Sequence, residues 1–173
     1  MIISNSSPLI LLAKINKIQI LEKLYKKIYT PYEVYNETVI KGKKENYSDA
    51  AVIEKHINEF IFVIDLNSQY KKEAEKLRSI LGSGESEAIA LCTQEKAKLL
   101  LMDNLEPRKI AQIKGIKCRS TLGILLEALK NKVMLFEEYE SSIKELSKYA
   151  WLSGDIVAYF LEQGYKFKYG EKK

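Results

Sequence analysis

The chain has 173 residues, of which 46% are hydrophobic and 29% are charged, a balance typical of one globular domain with a buried core. Basic residues exceed acidic residues by 28 to 23, and the net charge of +5 permits a nucleic-acid partner without indicating one. No apolar run approaches the roughly 20 residues that span a membrane, and no basic segment followed by an apolar core opens the chain. We therefore expect a cytoplasmic protein with no membrane partner.

The scarcity of histidine and cysteine excludes several kinds of site. His56 is the only histidine, which rules out a zinc site built from several histidines and disfavours a Ser-His-Asp triad. Cys92 and Cys118 lie in apolar stretches at a spacing that matches no metal motif, so we expect buried free thiols. Other side chains must therefore carry any chemistry.

Apolar runs alternate with helical patterns along the chain, as in an α/β domain with a parallel sheet. The predicted strands cover residues 1–4, 27–30, 60–64, 98–102 and 116–119. The predicted helices cover residues 8–15, 17–25, 31–40, 49–58, 67–80, 85–96, 105–114, 121–131, 136–148 and 153–163. This pattern predicts a single domain over residues 1–165 and a basic tail over residues 166–173.

Local signals predict where some of these helices begin and end. Ser7 stands directly before a proline and is predicted to cap the first helix. Thr30 and Glu33 have the spacing of a capping box at the start of another helix. Gly42 is predicted to end that helix, and a polar loop is expected to follow.

Four oxygen-bearing side chains follow strands or lie in the helices between them. Asn5 and Asp103 each follow a predicted strand, Glu37 lies two turns into a predicted helix, and Glu85 lies in the first turn of another. In an open parallel sheet, ligands bind outside the carboxyl ends of the strands. Oxygen ligands gathered from distant parts of a chain suit a hard divalent cation. We therefore predict that these four side chains converge on one cation site.

Several acids also have structural interpretations. Glu33 can close the capping box, and Glu85 can stabilise a helix N-terminus through the helix dipole. Asn104 can cap the helix that follows it, which leaves Asp103 without a structural role. Glu37 has no local structural role either. A local structural role therefore does not explain the presence of Glu37 and Asp103, which makes these two acids the stronger candidates for a functional role.

A short basic run, Lys41, Lys43 and Lys44, follows Glu37 closely. Its lysines are candidates for binding a phosphate backbone, since ammonium groups attract phosphate as point charges. A solvated loop explains the same run equally well.

The ordered blocks that carry these acids resemble those of PIN-domain proteins. The blocks are Ile3-Ser4-Asn5-Ser6-Ser7-Pro8-Leu9-Ile10, Pro31-x-x-Val34-x-x-Glu37, Gly82-x-Gly84-Glu85-x-x-Ala88-Ile89-Ala90-Leu91, Leu100-Leu101-Met102-Asp103-Asn104 and Ser120-Thr121-Leu122-Gly123. The resemblance runs from residue 1 to about residue 130, and the helices beyond it fit a compact subgroup of the family. Two positions depart from the family pattern: Asn5 replaces the usual aspartate, and Asn104 stands where a second acid is common.

The resemblance implies a three-layer α/β/α sandwich around a central, mainly parallel five-stranded sheet. It also implies a ribonuclease that depends on Mg²⁺ or Mn²⁺. Many such proteins are VapC-like toxins, which pair with a small antitoxin protein and are often homodimers. The catalytic and metal-binding residues implied by the resemblance are Asn5, Glu37, Glu85 and Asp103, with Ser7, Asn104 and Thr121 in supporting positions.

Two alternatives to a toxin ribonuclease remain open. Because Asn5 and Asn104 reduce the negative charge of the site, the chain is alternatively a catalytically weakened PIN-like module that binds RNA or a protein without cleavage. A phosphate-accepting receiver-like domain is the other alternative. It needs an acid pair after the first strand and a lysine after the last, where this chain has Asn5-Ser6 and Arg119-Ser120.

Overall fold

The computed structural model describes residues 1–170, in which five strands form one parallel sheet. The strands are β1 (Ile2–Ser4), β2 (Ile28–Pro31), β3 (Ile61–Ile64), β4 (Leu99–Leu101) and β5 (Cys118–Arg119). Their order across the sheet is β3-β2-β1-β4-β5, and every neighbouring pair is parallel. The predicted five-stranded sheet is confirmed. Its strand order reverses between β1 and β4, which lie side by side at the centre.

Helices surround the sheet and form two hydrophobic cores with it. The helices are α1 (Ser6–Lys14), α2 (Gln19–Tyr25), α3 (Tyr32–Tyr35), α4 (Gly42–Lys44), α5 (Ser48–Lys55), α6 (Ser68–Leu77), α7 (Ser83–Gln94), α8 (Leu105–Ile113), α9 (Thr121–Lys130), α10 (Phe136–Leu146) and α11 (Gly154–Tyr169). Leu99 and Leu101 of β4 pack in one core and Leu100 in the other, because successive side chains of a strand point to opposite faces. The sheet is thus covered on both faces, as a parallel sheet requires.

The chain between α3 and α4 is wound as a π-helix over Asn36–Lys41. The prediction that Gly42 ends this helix is wrong, since the backbone stays helical through Gly42 into α4. Gly42 lies against α5, where a Cβ atom at this position would stand 2.8 Å from the Ala50 Cβ atom. The glycine therefore permits close helix packing and does not stop the helix. Glu37 is the second residue of the π-helix, a conformation that is often found at functional sites.

Two predicted helix caps are wrong because the side chains concerned bond elsewhere. Thr30 lies in β2, and its hydroxyl donates to the Ser4 carbonyl at 3.0 Å, which ties β2 to β1. Ser7 lies inside α1, which begins one residue earlier, and its hydroxyl donates to the Asn5 Oδ1 atom at 3.2 Å. Glu33 accepts hydrogen bonds from Asn36 and Lys41 and closes no capping box.

The last helix, α11, is longer than predicted and continues to Tyr169. It packs on α10, where Gly164 lies directly against the Tyr139 ring and the Tyr139 hydroxyl donates to the Phe160 carbonyl at 2.6 Å. The basic tail predicted over residues 166–173 thus begins inside this helix, and residues 171–173 lie outside the described part of the chain. Among the helices described here, none is both long enough and apolar enough to cross a bilayer.

Candidate active site

The candidate site lies at the centre of the sheet, where the strand order reverses. Asn5 directly follows β1, and its backbone N–H donates to the Leu101 carbonyl of β4 at 3.1 Å. Asp103 follows β4 by two residues. Both residues therefore leave the carboxyl ends of adjacent central strands. This is the point at which open α/β sheets form a crevice for ligands.

A polar pocket of about 250 Å³ opens at this point. It is lined by Asn5, Ser6, Ser7, Glu37, Gly82, Gly84, Glu85 and Asn104. Three of the four side chains predicted to converge thus share one pocket. The fourth, Asp103, lines a neighbouring groove that has Ser7 and Asn104 in common with the pocket.

Glu37 is held in the pocket by main-chain and hydroxyl donors. The Gly84 N–H donates to Glu37 Oε1 at 3.0 Å, and the Ser6 hydroxyl donates to Oε2. Gly84 lies in the first turn of α7, where free N–H groups and the helix dipole favour an anion. A Cβ atom on Gly84 would stand 2.8 Å from the Glu37 Cδ atom, so this approach requires glycine. The contact between Ser6 and Glu37 has no signal in the sequence, because the two residues lie 31 positions apart.

Glu85 is fixed by the start of its own helix and by Asn104. Its Oε2 atom accepts the Gly82 N–H at 3.1 Å, and its Oε1 atom accepts from the Asn104 side-chain amide. Asn104 occupies the N-cap position of α8, but its side chain makes no capping bond there. The prediction that Asn104 caps the next helix is therefore wrong, since its amide is directed towards the pocket.

Asp103 has a structural role that its sequence context did not reveal. Its Oδ1 atom accepts the Thr121 N–H and its Oδ2 atom accepts the Thr121 hydroxyl, both at 2.7 Å. Burial raises the pKa of the Asp103 carboxyl, although the Thr121 donors, the Ser7 hydroxyl and the Arg108 charge oppose that rise. Asp103 thereby anchors the N-terminus of α9 beside the pocket. Each of its oxygens can accept a second hydrogen bond or bind a cation.

Asn5 is almost fully buried, with 2% of its surface exposed, and its Oδ1 atom accepts the Ser7 hydroxyl. Ser7 also interacts with Asp103, so this hydroxyl links the pocket to the groove. An amide oxygen at this position supplies a neutral ligand atom where an aspartate would supply a charged one. The pocket is thus less negative than a pocket with three carboxylates would be.

The basic run after Glu37 faces other acids. Lys41 pairs with Glu33 at 3.2 Å, and Lys43 pairs with Glu54 at 2.9 Å. Lys44 is exposed at the end of α4. None of the three lysines lines the pocket, so their predicted binding of phosphate remains a prediction about the surface.

The donor set of the pocket fits a hard divalent cation with few protein ligands. Two carboxylates and an amide oxygen line it, and Mg²⁺ is typically held by one or two carboxylates while it keeps several waters. Within residues 1–170, no three acidic, histidine or cysteine side chains come close enough to share one ion. The pocket therefore fits an open cation site that leaves room for water and phosphate, and it does not form a closed cage.

Comparison with known proteins agrees with this geometry. A family model described as PIN domain, whose members are generally nucleases that use divalent metal ions, matches residues 1–164. No match to the chain was found among curated proteins or among solved structures. The matched segment contains all five strands and every side chain of the pocket. On the extent of this match, the chain belongs to the PIN-domain family.

Proposed function

We propose that this protein is a ribonuclease that hydrolyses RNA phosphodiester bonds with the help of Mg²⁺ or Mn²⁺. The observation that carries the proposal is the pocket at the centre of the sheet, where Asn5, Glu37 and Glu85 present oxygen atoms beside Asp103. A divalent cation bound there supplies positive charge to the phosphoryl oxygens and lowers the pKa of water.

The residues of the chain have separable roles in this proposal. Glu37 and Glu85 would hold the cation, because both carboxylates line the pocket while backbone N–H groups fix their orientation. Asn5 adds a neutral oxygen. Asp103 adds a third carboxylate beside the pocket and holds Thr121, which lines the adjoining groove. Ser7 joins the two parts through its hydroxyl.

The direct test is cleavage of single-stranded RNA by the purified protein, with Mg²⁺ or Mn²⁺ and with a chelator. We expect cleavage in metal alone, reduced at least tenfold in Glu37→Gln and Glu85→Gln, because electrostatic groups in nuclease sites typically contribute that much or more. Both variants keep the shape of the side chain and remove its charge. Cleavage that persists in chelator or in both variants would overturn the proposal.

A matched pair of glycine variants tests whether the position of Glu37 matters. In Gly84→Ala the new methyl group would collide with the Glu37 carboxylate, whereas in Gly154→Ala it would meet no atom within 4 Å. We expect Gly84→Ala to lose metal-dependent cleavage and Gly154→Ala to keep it. Circular dichroism confirms that each variant is folded. Equal activity in the two variants would show that the geometry at Glu37 is unimportant.

A second candidate function is a PIN module that binds RNA or a protein without cleaving. Two observations favour it. Asn5 brings no charge to the pocket, and both carboxylate oxygens of Asp103 already accept hydrogen bonds from Thr121. An inert protein that still binds single-stranded RNA, with or without metal, would support this candidate over the nuclease.

The finer biological proposal is that the protein is a toxin, paired with a small antitoxin protein, homodimeric and cytoplasmic. It is supported by the resemblance of the sequence blocks to PIN-domain proteins, many of which are VapC-like toxins. Induced expression should arrest growth and degrade RNA, and expression of Glu37→Gln should do neither. If cells grow normally while folded wild-type protein accumulates, the toxin role is contradicted. The nuclease proposal is not affected by that result.

A further inference from the structure

A groove of about 770 Å³ adjoins the polar pocket. It runs between α1, the start of α8, the start of α9, and the segment 147–153 that links α10 to α11. Its floor is apolar and includes Leu146, Leu152 and Phe160. Ser7 and Asn104 line both the groove and the pocket, and Asp103 lines the groove beside them. A ligand held at the pocket would therefore extend into this groove.

Exposed apolar side chains line the outer rim of the groove. Trp151, the only tryptophan of the chain, is fully exposed, and Tyr149 is 46% exposed. Leu105 and Ile156 are also exposed on the rim, at 64% and 44%. An aromatic ring left in water beside a polar site is a surface on which a flat ligand can stack.

The groove also contains a cation without a partner. Arg108 lines it, and the buried Nε atom of Arg108 is the one buried side-chain nitrogen or oxygen among residues 1–170 that has no hydrogen-bond partner. No carboxylate of the described chain forms an ion pair with this guanidinium. The buried Nε atom is itself out of reach of a ligand, but the other N–H groups of this guanidinium can donate to an acceptor held in the groove. Guanidinium groups are well suited to phosphate and to base edges.

We propose that this groove binds a nucleotide of single-stranded RNA next to the cleaved bond, with its base against Trp151 and Arg108 donating to its phosphate. The proposal rests on the proposed ribonuclease function, because it places this nucleotide beside the phosphate held at the pocket.

The chemistry of the groove favours a nucleotide over a peptide. A nucleotide combines a flat apolar ring with an anion, and the groove offers an exposed indole and an unpaired guanidinium. Stacking on aromatic side chains is the usual way in which single-stranded RNA is held, and it tolerates any base. The volume of the groove is within the range of small-ligand sites.

The sole tryptophan provides a direct probe of the groove. We would titrate the metal-free protein with a short 2′-O-methyl RNA, which cannot be cleaved through its 2′-hydroxyl, and follow the fluorescence of Trp151. We expect saturable quenching, because stacking places the base on the indole. An unchanged fluorescence at saturating oligonucleotide would overturn the proposal. A blue shift that depends only on protein concentration would overturn it too, since it would assign the groove to a second copy of the chain.

Matched variants then test whether RNA binding depends on the groove residues in particular, or on any exposed cation or aromatic ring. With a labelled oligonucleotide and fluorescence anisotropy, we expect Trp151→Ala and Arg108→Gln each to weaken binding by about 5- to 100-fold. The controls are Lys109→Gln, an exposed cation on the same helix, and Tyr169→Ala, an exposed ring at the far end of α11. Trp151→Phe should retain most of the affinity. Equal losses in the control and groove variants would overturn the proposal.

Cleavage assays distinguish failure of the groove from failure of the nuclease. If the groove positions substrate, Trp151→Ala and Arg108→Gln raise KM for RNA more than they lower kcat. If the wild type cleaves but these variants keep its KM, the groove proposal fails and the nuclease proposal stands. If the oligonucleotide binds through Trp151 without any cleavage, the groove proposal stands and the nuclease proposal fails.

Discussion

Asp103 carries a carboxylate that folding makes harder to ionise. Burial raises its pKa above the ordinary value of 3.8, so the folded protein holds this proton to higher pH than the unfolded chain does. Between the two pKa values the folded state binds more protons, and the free energy of unfolding therefore falls as the pH rises. The contribution of Asp103 to stability is fully present below pH 3.8 and is lost as the pH rises through the folded-state pKa.

The variant Asp103→Asn isolates this effect. The amide cannot ionise, and its oxygen can still accept the Thr121 N–H while the Thr121 hydroxyl turns to accept from the amide group. We expect the free energy of unfolding of the wild type, minus that of the variant, to fall as the pH is raised from 3 to 7. Urea unfolding at several pH values measures this difference. A difference that grows with pH would mean that hydrogen bonds, not burial, dominate the pKa of Asp103.

Single residues also show where sequence reasoning meets its limit. The positions of Asn5 and Asp103 after predicted strands were sufficient to place them at the carboxyl ends of the sheet. The interpretation of Asp103 as an acid without a structural role was wrong, because its partner Thr121 lies 18 residues further along the chain. A local pattern cannot report a partner that only the fold brings close. Arg108 and Trp151 escaped notice for the same reason, since a groove has no signature in sequence.

At the scale of elements, the π-helix and α4 pack so closely on α5 that one methyl group decides the fit. Gly42 has ordinary helical dihedral angles, so alanine would be favoured there by about 1 kcal/mol if helix propensity acted alone. Its Cβ atom, however, would stand 2.8 Å from the Ala50 Cβ atom. We expect Gly42→Ala to lower the free energy of unfolding by about 1 to 3 kcal/mol, as overpacking typically does. Denaturant unfolding measures the change.

A double-mutant cycle provides the control for this packing. Ala50→Gly removes the methyl group that Gly42→Ala would strike, at the cost of a glycine in α5. The loss in the double variant should therefore be smaller than the sum of the two single losses. Additive losses would mean that the contact between the helices does not limit their approach.

Sequence patterns predicted which elements exist better than they predicted where elements end. Strand β2 extends through Pro31 because it pairs with β3 over Ile28–Pro31 and because Thr30 bonds to Ser4 of β1. These tertiary partners outweighed the local preference for a cap at Thr30. The π-helix likewise carried the backbone past Gly42. Apolar periodicity still predicts that an element is present when its boundary shifts. The boundary itself depends on contacts with residues that are distant in sequence.

For the whole molecule, a cation that binds only the folded state should raise its stability by mass action. Asn5→Asp would place another carboxylate near Glu37 and Glu85 with almost no change in volume. Without metal, we expect a lower melting temperature than that of the wild type, because like charges repel. In saturating Mg²⁺ the sign should reverse, and a tenfold gain in affinity would add about 1.4 kcal/mol.

Thermal unfolding of both proteins, with Mg²⁺ and with a chelator, measures these two effects together. Asn5→Ser, which adds no charge, is the control for a simple change of side chain. A variant destabilised by the same amount in both conditions would show that the pocket does not bind the cation.

The architecture of the whole chain was the most predictable level. Five apolar runs separated by helical patterns permit few arrangements other than a parallel sheet with helices on both faces. The placement of Asn5 and Asp103 side by side follows from that architecture, because both follow strands that end at the switch point, whereas Glu37 and Glu85 reach the site from helices. The architecture does not predict which acid lines the pocket and which lines the groove, because hydrogen bonds between side chains decide this.

The order in which the pocket and the groove are encoded has a consequence for protein synthesis. The pocket is complete in the first 104 residues, whereas the far wall of the groove is supplied by residues 146–160. At ordinary translation rates of about 5 to 20 residues per second, the far wall of the groove is finished roughly 3 to 11 seconds after the last residue of the pocket. All the residues of the acidic pocket are therefore synthesised before the surface that would hold RNA against them. Binding of RNA through Trp151 therefore has to wait until residues 146–160 have been synthesised.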